Sequence, residues 1–169
     1  AMGFLSTSSG YYLDLIGSLF NMERIPATQA STTITDGIQK FYTPTGVLFD
    51  NIPTGFIPIN TSVSTVDGQV AYYVTADTVF SASAVEVYVP IKCNNVGEKY
   101  NVATNALIVH SLNIPDIYTT NTRPIMSGTD TESDSNYRYR LMNATLSAEK
   151  ANEIAVRLAA LSVDGVADV

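Results

Sequence analysis

Val85-Glu86-Val87-Tyr88-Val89-Pro90-Ile91 carries the sharpest alternation in the chain. Val85, Val87, Val89 and Ile91 fall on one side of an extended strand and Glu86 and Tyr88 on the other, because successive strand side chains point to opposite faces. Pro90 has no N–H to give to a ladder, which places this strand near an edge. Outward in both directions, from Thr32 to about Ile117, short β-branched and aromatic runs are separated by turn residues. These include Asp36-Gly37, Pro44-Thr45-Gly46, Pro53-Thr54-Gly55 and Asp67-Gly68. The pattern predicts a region of several strands, with one side on a core and the other facing solvent or a partner.

Beyond that region the hydrophobic period changes. Ser8 or Ser9 can cap a first helix in which Leu13, Ile16 and Phe20 lie on one side, broadened by Leu15, Leu19 and Met22, and Pro26 bounds it. After Pro115 and Pro124, Ser133 or Asp134 opens a helix through Tyr137, Leu141 and Met142. Ser147 is read as opening another, with Ala151, Ile154, Ala155, Leu158 and Leu161 at helical spacing and Gly165 as its stop. The expected fold class is α+β, a β-rich central domain with an N-terminal helix and two C-terminal helices. The expected partition is a helical segment over residues 1–25, a β-rich domain over 26–122, and an acidic turn with helices over 123–169, cut off before a further domain.

Composition narrows the function classes. The 169 residues suffice for one ordinary domain with a helical appendage, without a metal or disulfide to hold it together. Charged residues make up 15%, against roughly 25% in an average soluble protein. The 34 Ser and Thr and 12 Asn residues fill that gap, so the exterior is polar, weakly charged and easily desolvated against a neighbour. Nine basic residues against 16 acidic ones give a net charge of −7, the wrong sign for neutralising phosphates, so nucleic acid and anionic membranes are not expected partners. No apolar run approaches the roughly 18 residues of a membrane span.

Candidates for chemistry are few. The chain has no glycine-rich phosphate loop, nucleophile elbow or histidine pair, so no catalytic, cofactor-binding or metal residues are assigned. His110, in the apolar stretch Leu107 to Leu112, reads as a structural histidine or, less simply, a general base. Cys93, the single cysteine, reads as a small hydrophobe. Asp130, Glu132 and Asp134 alternate as calcium-loop carboxylates do, but a loop opening at Asp130 would want Gly and Glu where Ser135 and Leu141 stand. The other reading gives them to the dipole of the following helix and to Arg138 and Arg140.

Residues 122–141 read TRPIMSGTDTESDSNYRYRL. Gly128, Asp130, Glu132, Ser133 and Asp134 form an acid-rich turn ahead of a helix bearing the Arg138 and Arg140 pair. Three further stretches precede it in order: Gly10-Tyr11-Tyr12-Leu13-Asp14 followed by Arg24, then Ile52-Pro53-Thr54-Gly55, then Gly97-Glu98-Lys99-Tyr100-Asn101-Val102. The terminal Val163-Asp164-Gly165-Val166-Ala167-Asp168-Val169 follows as a helix-to-strand joint. Together these resemble the baseplate J-like family of contractile phage tails. One departure is Tyr100, where family members often carry a second glycine.

The resemblance implies a central fragment of a structural component of the baseplate wedge, in a phage tail or phage-derived injection machine. It also implies a protein that is not an enzyme and uses no cofactor. Gly128, Asp130, Glu132, Ser133, Asp134, Arg138 and Arg140 would be a family motif and a structural joint. Implied partners are other wedge and hub proteins, with self-association of the full-length protein as a further option. The implied location is the virion tail baseplate, assembled in the host bacterial cytoplasm. The alternative is a β-rich receptor- or carbohydrate-binding module of a tail or cell surface. Ten tyrosines suit that alternative, and the lack of tryptophan counts against it.

Overall fold

A computed structural model gives the fold and describes residues 9–44, 48, 49, 52, 55–81 and 83–164. The chain divides into two compact units, one formed by residues 1–26 with 132–169 and the other by residues 27–131.

In the second unit every strand pairing among the described residues is antiparallel. Its strands in chain order are β1 (Gln29–Thr32), β2 (Gln39–Tyr42), β3 (Phe56–Ile57), β4 (Ser62–Ser64), β5 (Ala71–Val74), β6 (Thr78–Val79), β7 (Glu86–Tyr88), β8 (Ile91–Val96), β9 (Val109–His110) and β10 (Tyr118–Asn121). They form a five-stranded sheet in the order β1-β8-β5-β4-β9, a three-stranded sheet β10-β2-β7 and a two-stranded sheet β3-β6. Alternation drives the arrangement. Phe41 in β2, Tyr72 and Val74 in β5, and Ile91 and Cys93 in β8 are fully buried, while their strand neighbours are only partly covered. These side chains share one apolar cluster with Val63, Val89, Leu107 and Ile125. The β4–β5 hairpin closes on Asp67-Gly68, where Asp67 Oδ1 accepts from Thr65 Oγ at 2.6 Å and from the Gln69 N–H at 3.1 Å.

The stretch Val85 to Ile91 is not one strand. It belongs to two sheets: β7 pairs with β2 at an edge, and β8 runs between β1 and β5. The switch falls at Pro90, whose carbonyl accepts from the Thr75 N–H at 3.0 Å while the Val89 N–H still bonds Gln39 O at 2.9 Å. Val89 and Ile91 are both buried on either side of it, but Val85 is 44% exposed. Of the Pro-Thr-Gly turns, residues 45, 46, 53 and 54 lie outside the described residues, so the Ile52–Gly55 stretch is described only at its ends.

The first unit pairs two helices, α1 (Gly10–Leu19) and α2 (Asp134–Asp164). Leu13 on α1 and Tyr137 and Leu141 on α2 are buried together, with Ile16, Met22 and Met142 packed around them. Gly17 lets the helices approach: a Cβ there would lie 1.6 Å from the Tyr137 hydroxyl. Two C-terminal helices were expected, and one is found. Ser147 starts no second helix because nothing stops the first: residues 134–164 contain no Gly or Pro, and Ala148, Glu149 and Lys150 favour the helix. Thr145 is absorbed by bonding its hydroxyl to Leu141 O at 2.9 Å. The side chains of Ala155, Leu158 and Leu161, and the expected stop at Gly165, lie outside the described residues.

Candidate functional site

The residues 128–140 singled out from sequence fall on both units, and each set is held locally. In the β unit, Gly128 is gripped by a single amide: its N–H donates to Asn101 Oδ1 at 2.9 Å, and Asn101 Nδ2 donates to its carbonyl at 3.0 Å. A Cβ at position 128 would lie 2.8 Å from Asn101 Oδ1 and 2.9 Å from Gly97 O, so only glycine fits without displacement. Next to it Thr28 and Thr129 exchange backbone bonds at 2.9 and 3.3 Å and touch through their hydroxyls at 2.8 Å. Asp130 Oδ1 accepts the Glu98 N–H at 2.9 Å, at the start of the 3-10 turn Glu98–Tyr100. Thus the Gly97–Val102 stretch and the Gly128–Asp130 turn, separate in sequence, meet in space. Tyr100 needs no glycine there. It closes the 3-10 turn, and its carbonyl accepts the Tyr72 hydroxyl at 2.7 Å.

In the helical unit the chemistry is ionic. Ser133 Oγ accepts the Asn136 N–H at 3.2 Å and caps α2. Glu132, its side chain only 6% exposed, is held by both Arg140 Nε at 2.7 Å and Arg140 Nη2 at 2.6 Å. The Ile25 N–H also donates to Glu132 Oε1 at 3.2 Å, and the two backbones join through Glu132 N to Ile25 O at 2.9 Å. Asp134 accepts the Gly10 N–H at 3.1 Å and pairs with Arg24 at 2.8 Å. Arg24 also pairs with Asp14 at 3.0 Å and donates to Glu132 O at 2.9 Å. Tyr137 sits at the centre: its hydroxyl donates to Met22 O at 2.5 Å, and its ring lies 4.8 Å from the Arg24 guanidinium and 5.5 Å from that of Arg140. Arg138 is half-buried one turn along α2 from Asp134.

These contacts set the electrostatics. The fork from Arg140 holds the Glu132 carboxyl below its ordinary range, helped by the Ile25 N–H. The Gly10 N–H, then Arg24, do the same for Asp134, and the charge of Arg138 adds to it. Burial pushes the Tyr137 phenol up.

An open cleft of about 300 Å³ lies beside this cluster, lined by Asp14, Ser18, Met22, Glu23, Arg24 and Tyr137. Its one cation already has three acceptors, which suits a brace better than an anion site. Asp130, Glu132 and Asp134 each have their own donors, and among the described residues no group of His, Cys, Asp and Glu is placed to hold a metal ion. In the β unit His110 accepts the Leu112 N–H on Nδ1 at 3.2 Å, so its Nε2 carries the proton that bonds Ile117 O at 2.7 Å. That is a structural role. Cys93 is buried, and burial pushes its thiol up, away from the reactive thiolate. Among the described residues no helix is long and apolar enough to cross a membrane.

Sequence reasoning did not find Tyr137 as the hub or Asn101 as the partner of Gly128. Arg24 offered a signal, being the only Lys or Arg ahead of Lys40 in a stretch that also holds Asp14 and Glu23.

A family model described as Baseplate J-like protein barrel domain matches residues 40–128, just over half of the chain. The match runs from Lys40 in β2 to Gly128 and does not include the ionic cluster. No curated protein matches the chain.

Proposed function

The chain belongs to the Baseplate J-like barrel-domain family, and from that premise we propose that it is a non-enzymatic component of the baseplate wedge of a contractile phage tail or phage-derived injection machine. Its work is mechanical: it holds neighbouring wedge and hub proteins in one arrangement before contraction and another after it. It acts in the virion baseplate, is assembled in the host bacterial cytoplasm, and packs against other wedge and hub components.

The family match across residues 40–128 carries this reading. Its physical support is that the polar side chains with the most chemistry, Arg24, Glu132, Asp134 and Arg140, are engaged with one another and with backbone. Groups so occupied stabilise a joint rather than turn over a substrate. Gly128, Asp130, Glu132, Ser133, Asp134, Arg138 and Arg140 are accordingly proposed as structural residues. For a carbohydrate-binding module the obvious platform would be Tyr42 and Tyr118. However, Tyr42 already packs against Tyr118, at 5.8 Å between ring centroids, and against the Lys40 ammonium at 5.2 Å.

The test is co-purification of the full-length protein with the other tail components of its particle. Stable recovery with baseplate neighbours, reduced by Arg138→Ala with no change toward any small ligand, is the expected result. A full-length protein that stays alone with every tail component overturns the proposal.

A further inference from the structure

We propose that the uncovered apolar face of α1, centred on Leu15, docks against the same face of a second copy of the chain. At about 100° per residue, Tyr11, Leu15, Leu19 and Tyr12 fall within an arc of roughly 100° on one side of this helix. Leu13 and Gly17, fully covered within the unit, lie on another side. The apolar surface of α1 is therefore wider than the described residues of its unit cover. Tyr11 is 72% exposed, Tyr12 66%, Leu15 44% and Leu19 83%.

Three observations select a second copy as the occupant. First, Tyr11, Leu15 and Leu19 form a ridge at i, i+4 and i+8, symmetric about Leu15. A two-fold axis through Leu15 sets Leu15 against its own copy and Tyr11 against Leu19, which is the self-complementarity a two-fold interface requires. Second, the arc carries no charge. Asp14, the one ionisable side chain of α1 other than its tyrosines, lies outside the arc, about 60° beyond Tyr11, and is paired with Arg24 at 3.0 Å. Two copies can therefore meet without like-charge repulsion. Third, with aromatic side chains carrying roughly 150–250 Å² each, the arc presents on the order of 600 Å². That is near the ~800 Å² per partner of a standard interface and at the upper end of the patches ordinary monomers show. An area slightly short of standard corresponds to a weak, concentration-dependent dimer.

This inference deepens the baseplate reading by naming one neighbour, and the two fail separately: self-association without recruitment of any tail component overturns that reading and leaves this one standing. The experiment is sedimentation equilibrium of the 169-residue chain from micromolar to millimolar concentration. Tyr11→Lys and Leu19→Glu are compared singly and together; both side chains are mostly exposed, so neither change disturbs the fold. Each single change places an unpaired charge in the interface and should weaken the dimer at least about tenfold. The double variant should regain much of that loss, because the two-fold sets the new lysine against the new glutamate of the other copy. A chain that is monomeric throughout overturns the proposal. So does a dimer indifferent to the single changes, a double variant as weak as either single one, or a dimer that forms only after residues 1–8 are removed.

Discussion

Arg140 reaches back eight residues to hold Glu132 with two parallel N–H donors, at 2.7 and 2.6 Å, while also donating to Glu23 O at 2.9 Å. One side chain thereby ties the start of α2 to the segment that follows α1. Arg140→Ala would leave Glu132 buried with one backbone donor, and should cost about 2 kcal/mol, within the usual range for a lost charged hydrogen bond. Arg140→Lys keeps the charge but loses the fork and should fall in between. Thermal unfolding followed by the helical far-UV signal measures both. Equal stability of all three proteins would refute the brace.

Acid should release the same joint. The Glu132 and Asp134 carboxyls sit below their ordinary range when folded, chiefly through Arg140 and the Gly10 N–H respectively. On acidification the unfolded chain therefore takes up protons first. The stabilisation is complete above the unfolded values, about 4.3 for Glu and 3.9 for Asp, and is lost as pH falls through the lower folded ones. The melting midpoint of the helical unit should fall below about pH 4, and less steeply in Glu132→Gln than in the parent. A midpoint flat across that range would contradict the assignment.

Glycine at 17 and 128 should resist replacement for the same steric reason in different units. Gly17→Ala brings a methyl to 1.6 Å from the Tyr137 hydroxyl and 2.6 Å from Met22 O, so the helices must part. Gly128→Ala crowds Asn101 Oδ1 and Gly97 O at 2.8 and 2.9 Å. Each should cost on the order of 2 kcal/mol or more. Adding Tyr137→Phe to Gly17→Ala should recover part of the loss, because the nearest clashing atom is gone while Met22 O remains. Chemical denaturation of the single and double variants reads this directly.

Periodicity revealed the β-rich centre and the flanking helices because each is a local signal: burial every second residue in β2, β5 and β8, and every three to four in α1. It failed at Pro90, where alternation runs unbroken from Val87 through Val89 to Ile91 although the chain changes sheets. Both segments bury the same side, and period alone does not register a change of hydrogen-bonding partner. Partner choice was equally hidden. Asp134 finds Arg24 from 110 positions away, and Asp130 finds the Glu98 N–H from 32. No local spacing encodes either.

The single long helix offers the sharpest contrast between the expected and observed folds. If Ser147 were an N-cap, Ala148 would be the first residue of a new helix, the one helical position that welcomes proline. In the observed fold Ala148 lies inside α2, fourteen residues from Asp134 and sixteen from Asp164. Proline there removes an N–H that bonds the preceding turn and drives its ring against the Ala144 carbonyl, a cost of about 3 kcal/mol. Ala148 is exposed, so no packing change confuses the result. Ala148→Pro should therefore reduce the helical far-UV signal well beyond one residue's share, because the part of α2 after Leu146 has exposed side chains through Ile154 and little packing to hold it once cut off. Helicity and melting midpoint unchanged by this substitution would restore the two-helix reading.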